Sequence, residues 1–146
     1  MSSESPATHT RPRFHLAFPV RDIEEARAFY GGVLGCSEGR SAADWVDFDF
    51  HGHQIVAHRA PAEGQLASNL VDGHPSPVRH FGVILDIASW ESVVAKLKSA
   101  DVTFVSQPEV RFSGLPGEQR TVFVSDPSGN VIEFKAFARD DQVFAR

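Results

Sequence analysis

The chain has 146 residues, a formal net charge of −5 and one cysteine, which leaves room for a single compact domain with a full core and excludes an internal disulfide. No apolar run approaches the roughly 20 residues that cross a bilayer, mean hydropathy is −0.19, and no Lys/Arg cluster stands ready to displace counterions from phosphates. Neither a membrane nor a nucleic acid is therefore expected as a partner. The lone Cys36 and an N-terminal stretch without an apolar segment point to a reducing cytoplasm.

Residues 1–12 are polar, carry two prolines and read as a loose arm. From Phe14 to Val20 large apolar residues alternate with His15, Ala17 and Pro19, the period of a strand. Asp22 and Glu25 suit a helix start, and Ile23, Ala26, Phe29, Tyr30, Val33 and Leu34 share a helical face until Gly35 ends it. Trp45 to Arg59 gives two strands broken at His51-Gly52-His53, with a short strand near Cys36 to Arg40 before them. The pattern is β-α-β-β-β. Residues 61–78, rich in proline and small polar residues, read as a linker of loop and turn. The pattern then restarts: a strand from His80 to Ile84, a helix capped by Ser89 with Trp90, Val93, Val94 and Leu97 on one face, strands near Thr103 to Ser106 and Arg120 to Ser125, the turn Asp126-Pro127-Ser128-Gly129-Asn130, and a strand from Val131 to Phe137. The fold class is α+β: one domain over 13–137, with module one at 13–60, module two at 79–137 and a tail at 138–146.

Strand parity carries the functional reading. If the large apolar residues of each first strand face the helix, His15 and His80 point the other way, and on the last strand Glu133 joins them while Ile132, Phe134 and Ala136 face the core. A carboxylate at such a place is costly unless it is paired or bound to a cation. Two imidazoles and a carboxylate form the facial set that suits iron(II) and leaves positions open for substrate. Manganese(II), nickel(II) and zinc(II) are the alternatives. The competing reading has the histidines satisfied by ordinary hydrogen bonds and Glu133 paired with Lys135 or an arginine. His58 and Lys135 are candidates for proton handling or substrate positioning, against a default of solvated strand-end residues. Phe123 could line the cavity beside the metal or be ordinary packing. Asp47 and Asp49 are rivals to Glu133 as ligands, because parity leaves them facing either solvent or cleft. His9, His51, His53 and His74 are given no role. Signatures of nucleotide loops, zinc proteases and serine hydrolases are absent.

The segments Phe14-His15-Leu16-Ala17-Phe18-Pro19-Val20, Ala28-Phe29-Tyr30 leading to Leu34-Gly35, His80-Phe81-Gly82-Val83 and Asp126-Pro127-Ser128-Gly129-Asn130-Val131-Ile132-Glu133-Phe134 together resemble the vicinal oxygen chelate superfamily, which includes glyoxalase I, bleomycin-resistance proteins, fosfomycin-resistance thiol transferases and extradiol dioxygenases. The resemblance implies two tandem βαβββ modules forming a curved mixed sheet around a metal-binding cleft, with His15, His80 and Glu133 where family ligands stand. It also implies a small-molecule substrate, and it makes pairing of two chains into a homodimer an expectation. Val56 occupies the place of the fourth ligand in the glyoxalase branch, so the pattern is more similar to three-ligand members. The activity this implies is extradiol-type cleavage of a small catechol-like aromatic. The alternatives are a glyoxalase-type lyase or isomerase, a thiol transferase, and a module that binds a small molecule without chemistry.

Overall fold

The computed structural model describes residues 11–61 and 67–145; most of the expected N-terminal arm lies outside them. In the first module β1 (His15–Val20) leads into a helix and then into β2 (Ser37–Ala42), β3 (Trp45–Phe50) and β4 (His53–Arg59). A hairpin of β5 (Ala67–Val71) and β6 (His74–Val78) follows. The second module runs through β7 (Phe81–Ile84), α2 (Ile87–Ser99), β8 (Thr103–Arg111), β9 (Gln119–Ser125) and β10 (Val131–Phe137). The sheet orders β1-β4-β3-β2 and β7-β10-β9-β8 are the same path traced twice, and in each the first strand lies parallel to the last. The duplication expected from the sequence is thus built as two four-stranded sheets.

The helical face of each sheet is apolar for the reason the alternation suggested. Leu16, Phe18 and Val20 from β1, Ile55 and Ala57 from β4, Val122 and Val124 from β9, and Ile132, Phe134 and Ala136 from β10 all meet in one core cluster with Tyr30, Trp90 and Leu97. Ring contacts of Phe50 with Phe81 and Phe134, and of Phe18 with Phe81, join the two modules. Tyr30, fully buried, donates its hydroxyl to Asp126 Oδ2 at 2.8 Å and ties the first helix to the turn before β10. Trp90 Nε1 donates to the Phe134 carbonyl at 2.8 Å, which fastens α2 to its own sheet.

Three local expectations change. The first helix is α-helical only over α1 (Ile23–Ala26) and continues as a π-helix from Arg27 to Val33, with Leu34 N donating to Phe29 O. The wider turn lets the consecutive Phe29 and Tyr30 both enter the core. The cap of α2 is Asp86, whose carboxylate accepts from Ser89 N and Ser89 Oγ, so Ser89 is the residue that the cap holds. Within the expected loop-and-turn linker, β5 and β6 pair as antiparallel strands. Their hairpin is anchored to β8: Arg111, buried, donates to Ser76 Oγ at 2.9 Å and to Glu109 Oε1 at 3.1 and 3.2 Å, and His74 lies 3.2 Å from Glu109. No helix among the described residues is long and apolar enough to cross a membrane.

Candidate metal centre

Parity on β10 puts Glu133 on the face turned from the core, and the parallel partner β7 brings His80 beside it. His80 Nε2 is 3.3 Å from Glu133 Oε1. The strands can approach this closely because residue 82 is glycine: a Cβ there would sit 1.7 Å from the Glu133 carbonyl oxygen. The second carboxylate oxygen of Glu133 accepts the hydroxyl of Thr121, a fully buried residue on β9, at 2.5 Å. Glu133 is only 8% exposed. Burial pushes its carboxyl upward, yet the hydrogen bonds from His80 and Thr121, with the charge of Lys135, hold it below the usual carboxylate range. The hydrogen bond to Glu133 holds His80 above the ordinary imidazole value, against the effect of burial.

His80 Nδ1 lies 2.6 Å from the Pro77 carbonyl oxygen. A carbonyl can only accept, so Nδ1 carries a proton; a carboxylate also only accepts, so the bond to Glu133 puts a second proton on Nε2, the one a metal would displace. An open cavity of about 250 Å³ adjoins the pair and is lined by His80, Gly82, Ile84, Glu133 and Lys135, among others. Lys135 extends its ammonium over the Phe137 ring, 5.5 Å from the centroid.

His15 lies on β1, on the other sheet, and is exposed. Because both sheets turn their helical faces to a common core, the faces that carry His15 and Glu133 both point away from that core. Among the described residues no three His, Cys, Asp or Glu side chains come close enough to hold one ion. The cleft expected between the two sheets is therefore not assembled from these three residues within one chain. His15 has its own partner: Nδ1 is 2.7 Å from Gln54 Oε1, and Gln54 Nε2 donates to Asp47 Oδ2 at 3.3 Å.

The other candidates are placed as follows. His58 is exposed on β4, opposite Trp45 and on the same face as His15 and Gln54. Phe123 shares the Glu133 face but is buried, with His80 edge-on at 5.0 Å and the Arg111 guanidinium 5.3 Å from its centroid. It packs edge-on against His80, beside the His80–Glu133 pair. Asp47 and Asp49 lie on the face of β3 turned away from Val46, Phe48 and Phe50; Asp49 accepts from Gly52 N and so closes its own turn. Val56 is buried on the His15 face. His51 touches the rings of Phe50 and Phe134, and His53 Nδ1 accepts from Phe14 N. Sequence reasoning missed Thr121, Gln54 and Arg111. The first two were within reach, since the parity that placed Phe123 and Val56 also places Thr121 and Gln54 on the ligand faces. Arg111 fell between the strands expected near Thr103 to Ser106 and Arg120 to Ser125, and belongs to a longer β8.

The model of the Glyoxalase/Bleomycin resistance protein/Dioxygenase superfamily matches residues 14–134. The chain belongs to that superfamily. It is similar to a solved glyoxalase/bleomycin resistance protein/dioxygenase from Alicyclobacillus acidocaldarius, with 32% identity, coverage of 94% of this chain and 100% of that one, and a TM-score of 0.80. It is 26% identical over 123 residues to virulence protein STM3117 of Salmonella typhimurium, covering 84% of this chain and 82% of the relative. The fold is shared with the fosfomycin resistance protein FosX of Listeria monocytogenes at 15% identity and a TM-score of 0.69, covering 92% of this chain and 98% of that one.

Proposed function

We propose that the protein is a divalent-metal-dependent enzyme acting on a small molecule that offers two neighbouring oxygen atoms, with the ion held by His80 and Glu133 of one chain and His15 of a second copy. The observation that carries this reading is common to both histidines: each has Nδ1 committed to a hydrogen-bond acceptor, Pro77 O or Gln54 Oε1, and each keeps Nε2 uncommitted to the backbone. That is how ligating histidines are held in metal sites. The buried Glu133 supplies the anionic donor, and Thr121 occupies one of its oxygens so that the other faces His80. The donor chemistry fits a divalent ion such as iron(II), with manganese(II), nickel(II) and zinc(II) as alternatives.

Two chains are required because one chain presents the two halves on separate outward faces. A two-fold pairing would make two equivalent sites, each taking His15 from one copy and the His80–Glu133 pair from the other. Ile84, 44% exposed on the cavity wall, supports a face that a partner covers.

When bound, the ion would polarise the substrate oxygens as a Lewis acid. The chain's own residues do the remaining work. Three protein donors instead of four, with Val56 at the fourth place, leave more positions for substrate, which favours the ring-cleaving dioxygenase reading with a catechol-like aromatic. Lys135 favours a second reading: it lines the cavity and makes no ion pair among the described residues, so it can bind an anionic group of a substrate that needs no O2. His58 is the candidate proton carrier on the His15 face, four residues beyond Gln54 and roughly 13 Å along the strand.

The test is anaerobic loading with iron(II), followed by O2 uptake with a panel of catechols, and in parallel a manganese(II)-loaded sample offered thiol plus an epoxide phosphonate. Metal-dependent turnover in either arm supports the reading. Turnover that persists at full rate in the His80→Ala variant would contradict it.

A further inference from the structure

Asp47, Gln54 and His15 form a chain of hydrogen bonds across β3, β4 and β1, and the donors and acceptors in it are fixed by elimination. Asp47 as a carboxylate can only accept, so the group of Gln54 that reaches Asp47 Oδ2, 3.3 Å away, is its NH2. The amide oxygen of Gln54 then faces His15 Nδ1 at 2.7 Å. An amide oxygen also only accepts, so His15 carries its proton on Nδ1 and presents Nε2 unprotonated. Free histidine side chains favour the opposite tautomer. The strand register makes the arrangement: His15 stands directly opposite Gln54, and Asp47 stands opposite Val56, two residues along β4 on the same face. Asp49, the other carboxylate on that strand face, is committed to Gly52 N and does not compete for the amide.

We infer that Asp47 and Gln54 are positioning residues that set the tautomer of His15 and hold its Nε2 ready as a metal ligand. The inference rests on the metal site proposed above. It assigns to Gln54 the part that the Pro77 carbonyl plays for His80, with one difference: a carbonyl of the backbone cannot turn over, whereas a side-chain amide can. Asp47 is the group that stops Gln54 from turning its NH2 towards His15, which would place the proton on the wrong nitrogen. Val56, opposite Asp47 on the same face, has no polar side-chain atom to offer in place of Gln54.

The experiment uses the full chain. Long-range proton–nitrogen correlation spectra of the metal-free protein above pH 7 report the tautomer of His15, assigned by its loss in His15→Ala. Cobalt(II) titration of the same samples reports affinity. Wild type is expected in the Nδ1–H form. Gln54→Leu is expected to revert to Nε2–H and to lose about 10-fold to 100-fold in cobalt(II) affinity, the range for outer-shell partners of ligating histidines. Gln54→Glu, a fixed acceptor, keeps the Nδ1–H form and rescues affinity without needing Asp47. Asp47→Asn gives a mixture of tautomers and an intermediate affinity. Gln54 is exposed and Asp47 half-buried, so melting temperatures of the set should agree closely, which separates the effect from misfolding. Wild-type His15 in the Nε2–H form, or Gln54→Leu with unchanged affinity, overturns the inference while leaving the metal site standing. If wild type keeps the Nδ1–H form but takes up no cobalt(II), the metal site itself is refuted, and the inference with it.

Discussion

The Thr121→Val substitution removes one hydroxyl from a fully buried side chain and keeps its shape, so it isolates the bond to Glu133. A hydrogen bond to a buried charged group is worth about 1.5–3 kcal/mol, and losing it leaves a carboxylate oxygen without its partner. For a chain of this size about 1 kcal/mol corresponds to about 2–4 °C of melting temperature, so the metal-free variant should melt roughly 3–12 °C below wild type at neutral pH. The pH dependence follows from the same bond. Glu133 is held below its ordinary value of 4.5, so its stabilisation is present above that value and is lost as pH falls through the lowered one. The gap between wild type and variant should therefore narrow on acidification. Thermal unfolding followed by circular dichroism at neutral and at acid pH measures it, with Thr121→Ser, which keeps the hydroxyl, as the control. A gap that is the same at both pH values, or a serine variant as weak as the valine one, would refute the reasoning.

Gly82→Ala forces a Cβ into the Glu133 backbone, 1.7 Å from its carbonyl oxygen, so β7 must separate from β10; loss of cobalt(II) binding with a lowered melting temperature is the expected result, checked by titration and calorimetry. Protonated His80 is stabilised by Glu133, and that contribution, complete below the ordinary value of 6.5, fades as pH rises through the raised one. A metal must displace the same proton, so affinity measured by titration should climb with pH across that range. Burial pushes the Cys36 thiol up to about 11, so iodoacetamide should label it slowly at neutral pH in the folded protein and rapidly after unfolding, followed by mass spectrometry.

Much of the fold was legible in the sequence because both periods were clean. The alternation of Phe14 to Val20 and of Val131 to Phe137 announces strands with one buried face, and the restart at His80 announces the duplication. The first helix was legible as a helix but not in its π-helical stretch, because Phe29 and Tyr30, four and three residues before Val33, fit either hydrogen-bond pattern. The hairpin after residue 66 was hidden by Pro75 and Pro77, which usually argue against strands; it is a two-stranded ribbon where edge positions tolerate them. Parity assigned His80 and Glu133 to one face, and their contact follows from the parallel pairing of β7 and β10. What parity could not give is which way two sheets turn relative to each other. The shared core of Phe18, Phe50, Phe81 and Phe134 decides that, and it sends His15 and Glu133 outward on separate faces.

In the proposed site one ion joins His15 of one chain to His80 and Glu133 of another. Mixing separately purified His15→Ala and His80→Ala proteins under conditions of subunit exchange tests it directly. Each variant alone should fail to hold cobalt(II), and the mixture should recover binding in the mixed pairs, because one of their two sites then contains all three donors. A mixture that binds no more than its two components do, although exchange is shown by mass spectrometry, would contradict the claim.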